Sequence, residues 1–120
     1  MVHGKHKGNA YENKVYKEIR EVLPDVKLTI GSGNSESDAD LVSDVYLFEL
    51  KRYKKVDDSM INKWWDKVCG EAYKHDKIPV IVYKEDYKDA KVVTWVQFEG
   101  CTLRAMFYYD DFLGVLKDGN

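Results

Sequence analysis

The chain has 120 residues, 44% of them hydrophobic and 13% aromatic, with a formal net charge of −2. That size predicts one domain with one core, and that composition fits a compact globular fold and excludes a disordered chain. No apolar run approaches the roughly 20 residues that cross a bilayer, and Met1-Val2-His3-Gly4-Lys5-His6-Lys7 lacks the apolar core of a signal peptide, so a cytoplasmic protein (host cytoplasm, for a viral one) with no membrane partner is expected.

Residues 1–8 read as a basic tail carrying Lys5 and Lys7. From about Asn9 to Leu23 apolar residues recur at Tyr11, Val15, Ile19 and Leu23, which is helical spacing, and Pro24 ends it. Val26 to Ile30 is a short strand. The polar run Gly31-Ser32-Gly33-Asn34-Ser35-Glu36-Ser37-Asp38 is a loop. Two apolar strands joined by a Ser43-Asp44 turn follow, the second ending in Glu49-Leu50-Lys51.

A second helix starts near Asp57-Asp58-Ser59, which offer N-caps, and carries Ile61, Trp64, Trp65, Val68, Cys69, Ala72 and Tyr73. Trp64 and Trp65 are adjacent and cannot face the same way. One is expected in the core and the other at the sheet edge or against a partner chain. Lys67 and Glu71 could help line the site, but a solvated helix face is the preferred reading. Ile78–Tyr83 is a buried strand; Val92–Phe98 and Thr102–Tyr108 are further strands, the last a candidate dimer contact. Asp110 caps a closing helix through Leu116. Cys69 and Cys101 have neither metal nor redox spacing, and their apolar surroundings predict buried free thiols. The order α-β-β-β-α-β-β-β-α predicts an α/β fold, a mixed central sheet flanked by helices.

The chemistry concentrates around Asp40 and Glu49. Side chains two apart on a strand share a face, so Glu49 and Lys51 project together, roughly 6–7 Å apart along the strand. A hairpin return brings Asp40 beside Glu49. Glu12 leans from the first helix toward the same edge and supplies a third carboxylate. Hard divalent cations take oxygen ligands, to which the Leu50 backbone carbonyl adds another. A bound ion would activate water and polarise a phosphoryl oxygen, with Lys51 beside it. Asp38 is the rival of Asp40 as the metal aspartate; Asp40 is preferred because it directly precedes the apolar Leu41-Val42.

Asp40, then Glu49-Leu50-Lys51 on the next strand, with Glu12 upstream in Lys7-Gly8-Asn9-Ala10-Tyr11-Glu12, resembles the PD-(D/E)XK nuclease signature. The loop Gly31-Ser32-Gly33 leading to Asp40 makes the pattern most similar to archaeal-type Holliday junction resolvases, the Hjc group. Ala39 stands where proline often precedes the aspartate. The resemblance implies a restriction-endonuclease-like fold and a homodimer that cuts branched DNA, four-way junctions, using magnesium, for which manganese can substitute. It implies that Glu12, Asp40 and Glu49 bind metal, that Lys51 is the catalytic lysine and that Ser32 touches DNA near the cleaved phosphate. Lys5, Lys7, Arg52, Lys54 and Lys55 are the candidate phosphate contacts.

Other readings stand beside these. The charged triplet also suits a protected edge strand, Glu12 a surface ion pair and Ser32 a turn. The same residues suit another structure-specific or restriction-like nuclease acting on flaps, nicks or single strands. A non-catalytic nucleic-acid-binding module on the same fold is the remaining alternative.

Overall fold

The computed structural model describes residues 2–29 and 39–119, with side chains from Ala10 onward. The elements follow the expected order: α1 (Val2–Val22), β1 (Lys27–Leu28), β2 (Leu41–Val42), β3 (Tyr46–Tyr53), α2 (Asp58–His75), β4 (Ile78–Glu85), β5 (Lys91–Phe98), β6 (Cys101–Tyr108) and α3 (Tyr109–Gly119). The strands form one six-stranded sheet in sequence order, β1 to β6. Every neighbouring pair is antiparallel except β3 and β4, which are parallel and aligned Glu49 to Ile81 and Lys51 to Tyr83. A parallel pair needs a long crossover, and α2 supplies it.

The period of two along β3 divides the core. Phe48 and Leu50 face one cluster with Tyr11, Val15, Ile19 and Leu23 of α1 and Tyr109, Phe112 and Leu116 of α3. Leu47 faces the other, with Ile61 and Val68 of α2, Ile81 and Val93. Two helices therefore cover one face and α2 covers the other. Because α2 alone covers its side, whatever β3 exposes there lies beneath that helix.

Local chemistry fixes the ends of α2. The Asp57 carboxylate accepts from the Met60 N–H at 2.9 Å, filling an orphan donor of the first turn. Asp76 closes the helix in the left-handed region (φ 56°), its N–H reaching Ala72 and Tyr73 carbonyls, a conformation aspartate tolerates better than most residues. The Lys77 ammonium then donates to the Ser43 and Asp44 carbonyls at 2.7 and 2.9 Å, tying the β2–β3 turn to the start of β4.

Four expectations are corrected. The first helix begins at Val2, inside the segment read as a basic tail. Gly4 and Gly8 weaken that stretch but no proline interrupts it, and lysine is a good helix former. The strand expected at Val26–Ile30 is limited to Lys27–Leu28; Ile30 lies outside the described residues. Cys101 is exposed and Cys69 half-buried, because Cys101 opens the edge strand, where one side of the sheet has no cover. Trp64 and Trp65 both pack, half-buried, against the α2-side cluster. About 100° apart on the helix, they straddle the apolar stripe: Trp64 lies on Tyr53 and Tyr83, and Trp65 on Trp95.

Candidate active site

β2 is only two residues long, and its pairing with β3 ends at Leu41 opposite Phe48. Asp40 is the residue at which the ladder stops. Its N–H still donates to the Phe48 carbonyl at 2.9 Å. Its side chain then takes over from the backbone, and the Leu50 N–H donates to Asp40 Oδ2 at 2.7 Å. In an extended residue the N–H and C=O leave on the same side of the strand, so the Leu50 carbonyl also leaves toward Asp40.

Glu49, one residue before, is buried, with 6% of its surface exposed. It accepts an ion pair from Lys51 at 3.1 Å. Lys51 lies on the α2 side, its ammonium 5.6 Å from the centre of the Trp64 ring, within the range of a cation–π contact. Glu12 of α1 closes the group through a hydrogen bond with Asp40. The structure thus brings together Glu12, Asp40, Glu49 and Lys51, from one helix and two strands.

The electrostatics of this group are unfavourable as it stands. Burial, opposed by the Leu50 N–H and reinforced by Glu12, pushes the Asp40 carboxyl up to about 6. Burial and then Asp40 raise Glu49, against the pull of Lys51 and Lys67. Burial also raises Glu12, against its hydrogen bond to Asp40. Three acids resist ionisation in one place, chiefly because they are buried, and a cation among them would offset that penalty. The donors are hard oxygens, the set that magnesium takes, so the residues fit such an ion. Among the described residues, however, no three His, Cys, Asp or Glu side chains already close around a common point: Glu12 is turned onto Asp40, and Glu49 onto Lys51.

The other expected residues divide. Arg52 alternates to the opposite face from Lys51, beside Tyr11, and its guanidinium is paired with Asp86 at 2.6 Å. Lys54 and Lys55 are exposed just beyond β3. The side chains of Lys5 and Lys7, and all of Ser32 and Asp38, lie outside the described residues. Sequence reasoning missed Trp64 as the wall behind Lys51 and set Lys67 aside, although Lys67 acts on Glu49. What places both is the path of α2 from β3 to the parallel β4, over the face bearing Glu49 and Lys51, which no spacing within α2 encodes.

A mixed sheet with acids gathered where a short strand ends, and a lysine two residues past the last acid, is the design of a PD-(D/E)XK nuclease. The structure is similar to that of Hjc from Archaeoglobus fulgidus, a Holliday junction resolvase from an archaeal hyperthermophile. The two share 12% identity with a TM-score of 0.55, over 89% of this chain and 98% of that one. That likeness establishes the restriction-endonuclease-like fold. No curated protein matches the sequence. Residues 3–99 match the family described as "Phage putative PDDEXK endonuclease", and the chain belongs to that family. It is a nuclease of the PD-(D/E)XK superfamily.

Proposed function

We propose that the protein is a magnesium-dependent DNA endonuclease that resolves four-way (Holliday) junctions as a homodimer. The observation that carries the catalytic part is the Asp40 carboxylate on the Leu50 N–H, with Glu12 against it and Glu49 held by Lys51. Glu12, Asp40 and Glu49 would hold magnesium, with the Leu50 carbonyl as a further oxygen. Magnesium, when bound, lowers the pKa of a water and steadies charge on phosphoryl oxygens. With Glu49 turned to such an ion, the Lys51 ammonium would be released from its ion pair. Lys51 then faces the scissile phosphate, where it orients the attacking water and offsets developing negative charge. Trp64 keeps that ammonium from swinging away. Ser32 would contact DNA near the cleaved phosphate, and Lys5, Lys7, Lys54 and Lys55 would meet phosphates along the arms.

The homodimer rests on a different region. β6 is an eight-residue edge strand whose one charged residue is Arg104, and edges so lightly protected invite pairing. Around it Phe98, Leu103, Met106, Tyr108 and Val115 are exposed to between 46% and 67%. A second copy covers them best, and a two-fold dimer presents two sites to a two-fold junction. Among the described residues no helix is long and apolar enough to cross a membrane.

The test is a gel assay of four-way junction, linear duplex and flap DNA in magnesium, with sedimentation of the protein alone. Paired, symmetric cuts in the junction by a dimer are expected. Equal cutting of all three substrates overturns junction resolution and leaves a less selective nuclease.

A further inference from the structure

Lys63, Lys67, Gly70 and Lys74 of α2 are all exposed. At 100° per residue they fall within an arc of about 60° on one side of the helix. The arc lies next to Trp64, and Lys67 is close enough to Glu49 to favour its charged form. The stripe is a row of positive charge running away from the acids along the helix that covers them.

Two of its features work against the helix. Lysines at i and i+4, such as Lys63 and Lys67, repel each other. Gly70 sits mid-helix, where glycine is less favourable than alanine by about 1 kcal/mol. A Cβ added there would meet nothing within 4 Å, so no packing requirement excludes a larger residue. Unfavourable local choices gathered on one face mark a functional surface. A bare stretch of helix between ammonium groups suits a polymer of phosphates lying close against it.

We infer that this face of α2 is the track on which the DNA backbone lies as it leaves the active site, Lys63, Lys67 and Lys74 contacting spaced phosphates of one strand and Gly70 letting the strand approach. From Lys63 to Lys74 the helix rises about 16 Å, along which a duplex strand presents about five phosphates at roughly 3.4 Å of axis each. Lys74 now leans on Glu71 at 3.4 Å while 69% exposed, a contact weak enough to exchange for a phosphate. The inference rests on the nuclease reading above and adds where the substrate runs.

The test is binding of a labelled four-way junction in EDTA, without cleavage, across a salt series. K63Q/K67Q/K74Q is compared with K27Q/K88Q/K117Q, which removes the same charge from β1, the β4–β5 turn and α3. The stripe variant should bind at least about tenfold more weakly near 0.1 M salt, with a salt slope shallower by about 0.9 per lysine removed. The comparison variant should stay close to wild type. G70A should melt higher than wild type yet bind DNA more weakly, a combination that loss of folding cannot produce. Unchanged binding by both the stripe variant and G70A, or an equal loss in the comparison variant, overturns the track. If wild type binds no DNA, the nuclease reading itself fails, which separates the two.

Discussion

Asp40 and Glu85 form an instructive pair. Both are largely shielded carboxylates on neighbouring parts of one sheet, and each accepts a backbone N–H, from Leu50 at 2.7 Å and from Val56 at 3.0 Å. Their carboxyls are nevertheless displaced in opposite directions. The Val56 N–H holds Glu85 below the ordinary range, helped by Lys88 and Lys91. Burial, with Glu12 beside it, drives Asp40 up to about 6. Glu85 pins the chain between β3 and α2 and is satisfied by its neighbours. Asp40 has the same kind of hydrogen bond and is not. One acid serves the fold; the other is kept by the fold in a state it does not favour.

The largest expected difference is in catalysis. Asp40→Asn or Glu49→Gln should reduce magnesium-dependent cleavage to background while DNA binding persists, and Glu85→Gln should cut at close to the wild-type rate. Lys51→Ala should slow single-turnover cleavage by about 10²–10⁴-fold with the magnesium-induced rise in melting temperature intact. Wild-type cutting by Asp40→Asn would place the chemistry elsewhere.

Stability should move the opposite way. Displacement from 3.8 to about 6 means that charging Asp40 near pH 7 costs the metal-free fold up to about 3 kcal/mol, at 1.36 kcal/mol per pKa unit. Asp40→Asn keeps an acceptor for the Leu50 N–H and removes that cost, so it should melt higher than wild type without metal. Magnesium should raise the wild-type melting temperature and leave that variant unmoved.

The pH dependence sharpens the contrast. The folded state holds the Asp40 proton more tightly than the unfolded state, so stability from this group falls as pH rises from about 4 through 6. Glu85 has the depressed value, so its contribution is present above the ordinary glutamate range and lost as pH falls. Thermal melts of Asp40→Asn and Glu85→Gln against pH should each flatten one of these limbs. The smallest effect is expected at Trp64. Trp64→Leu should slow cleavage by about fivefold, the equivalent of roughly 1 kcal/mol of cation–π contact, and Trp64→Phe should restore most of it. Equal rates for leucine and phenylalanine would make Trp64 a packing residue only.

The same contrast explains what the sequence disclosed. The order of elements was legible because periodicity, Pro24 and Asp57 act locally, and the union of Glu49 and Lys51 on one face follows from strand geometry. Asp40 was legible as the last polar residue before Leu41-Val42. Glu12 needed the packing of α1 on the sheet, which its apolar stripe foretold. Trp64 behind Lys51 depends on how α2 crosses the sheet, and no spacing within α2 encodes that. The exposure of Cys101 was hidden because its apolar neighbours pack or lie bare according to which strand ends the sheet. Lys67 looks like any solvated lysine until the helix is laid over Glu49.

The brevity of β2 has its own consequence. Because main-chain pairing with β3 goes no further than the Asp40 N–H, a carboxylate side chain does the work of a carbonyl in accepting the next rung, the Leu50 N–H. A mutation that deletes this acceptor strikes architecture and chemistry together, whereas one that merely neutralises it spares the architecture.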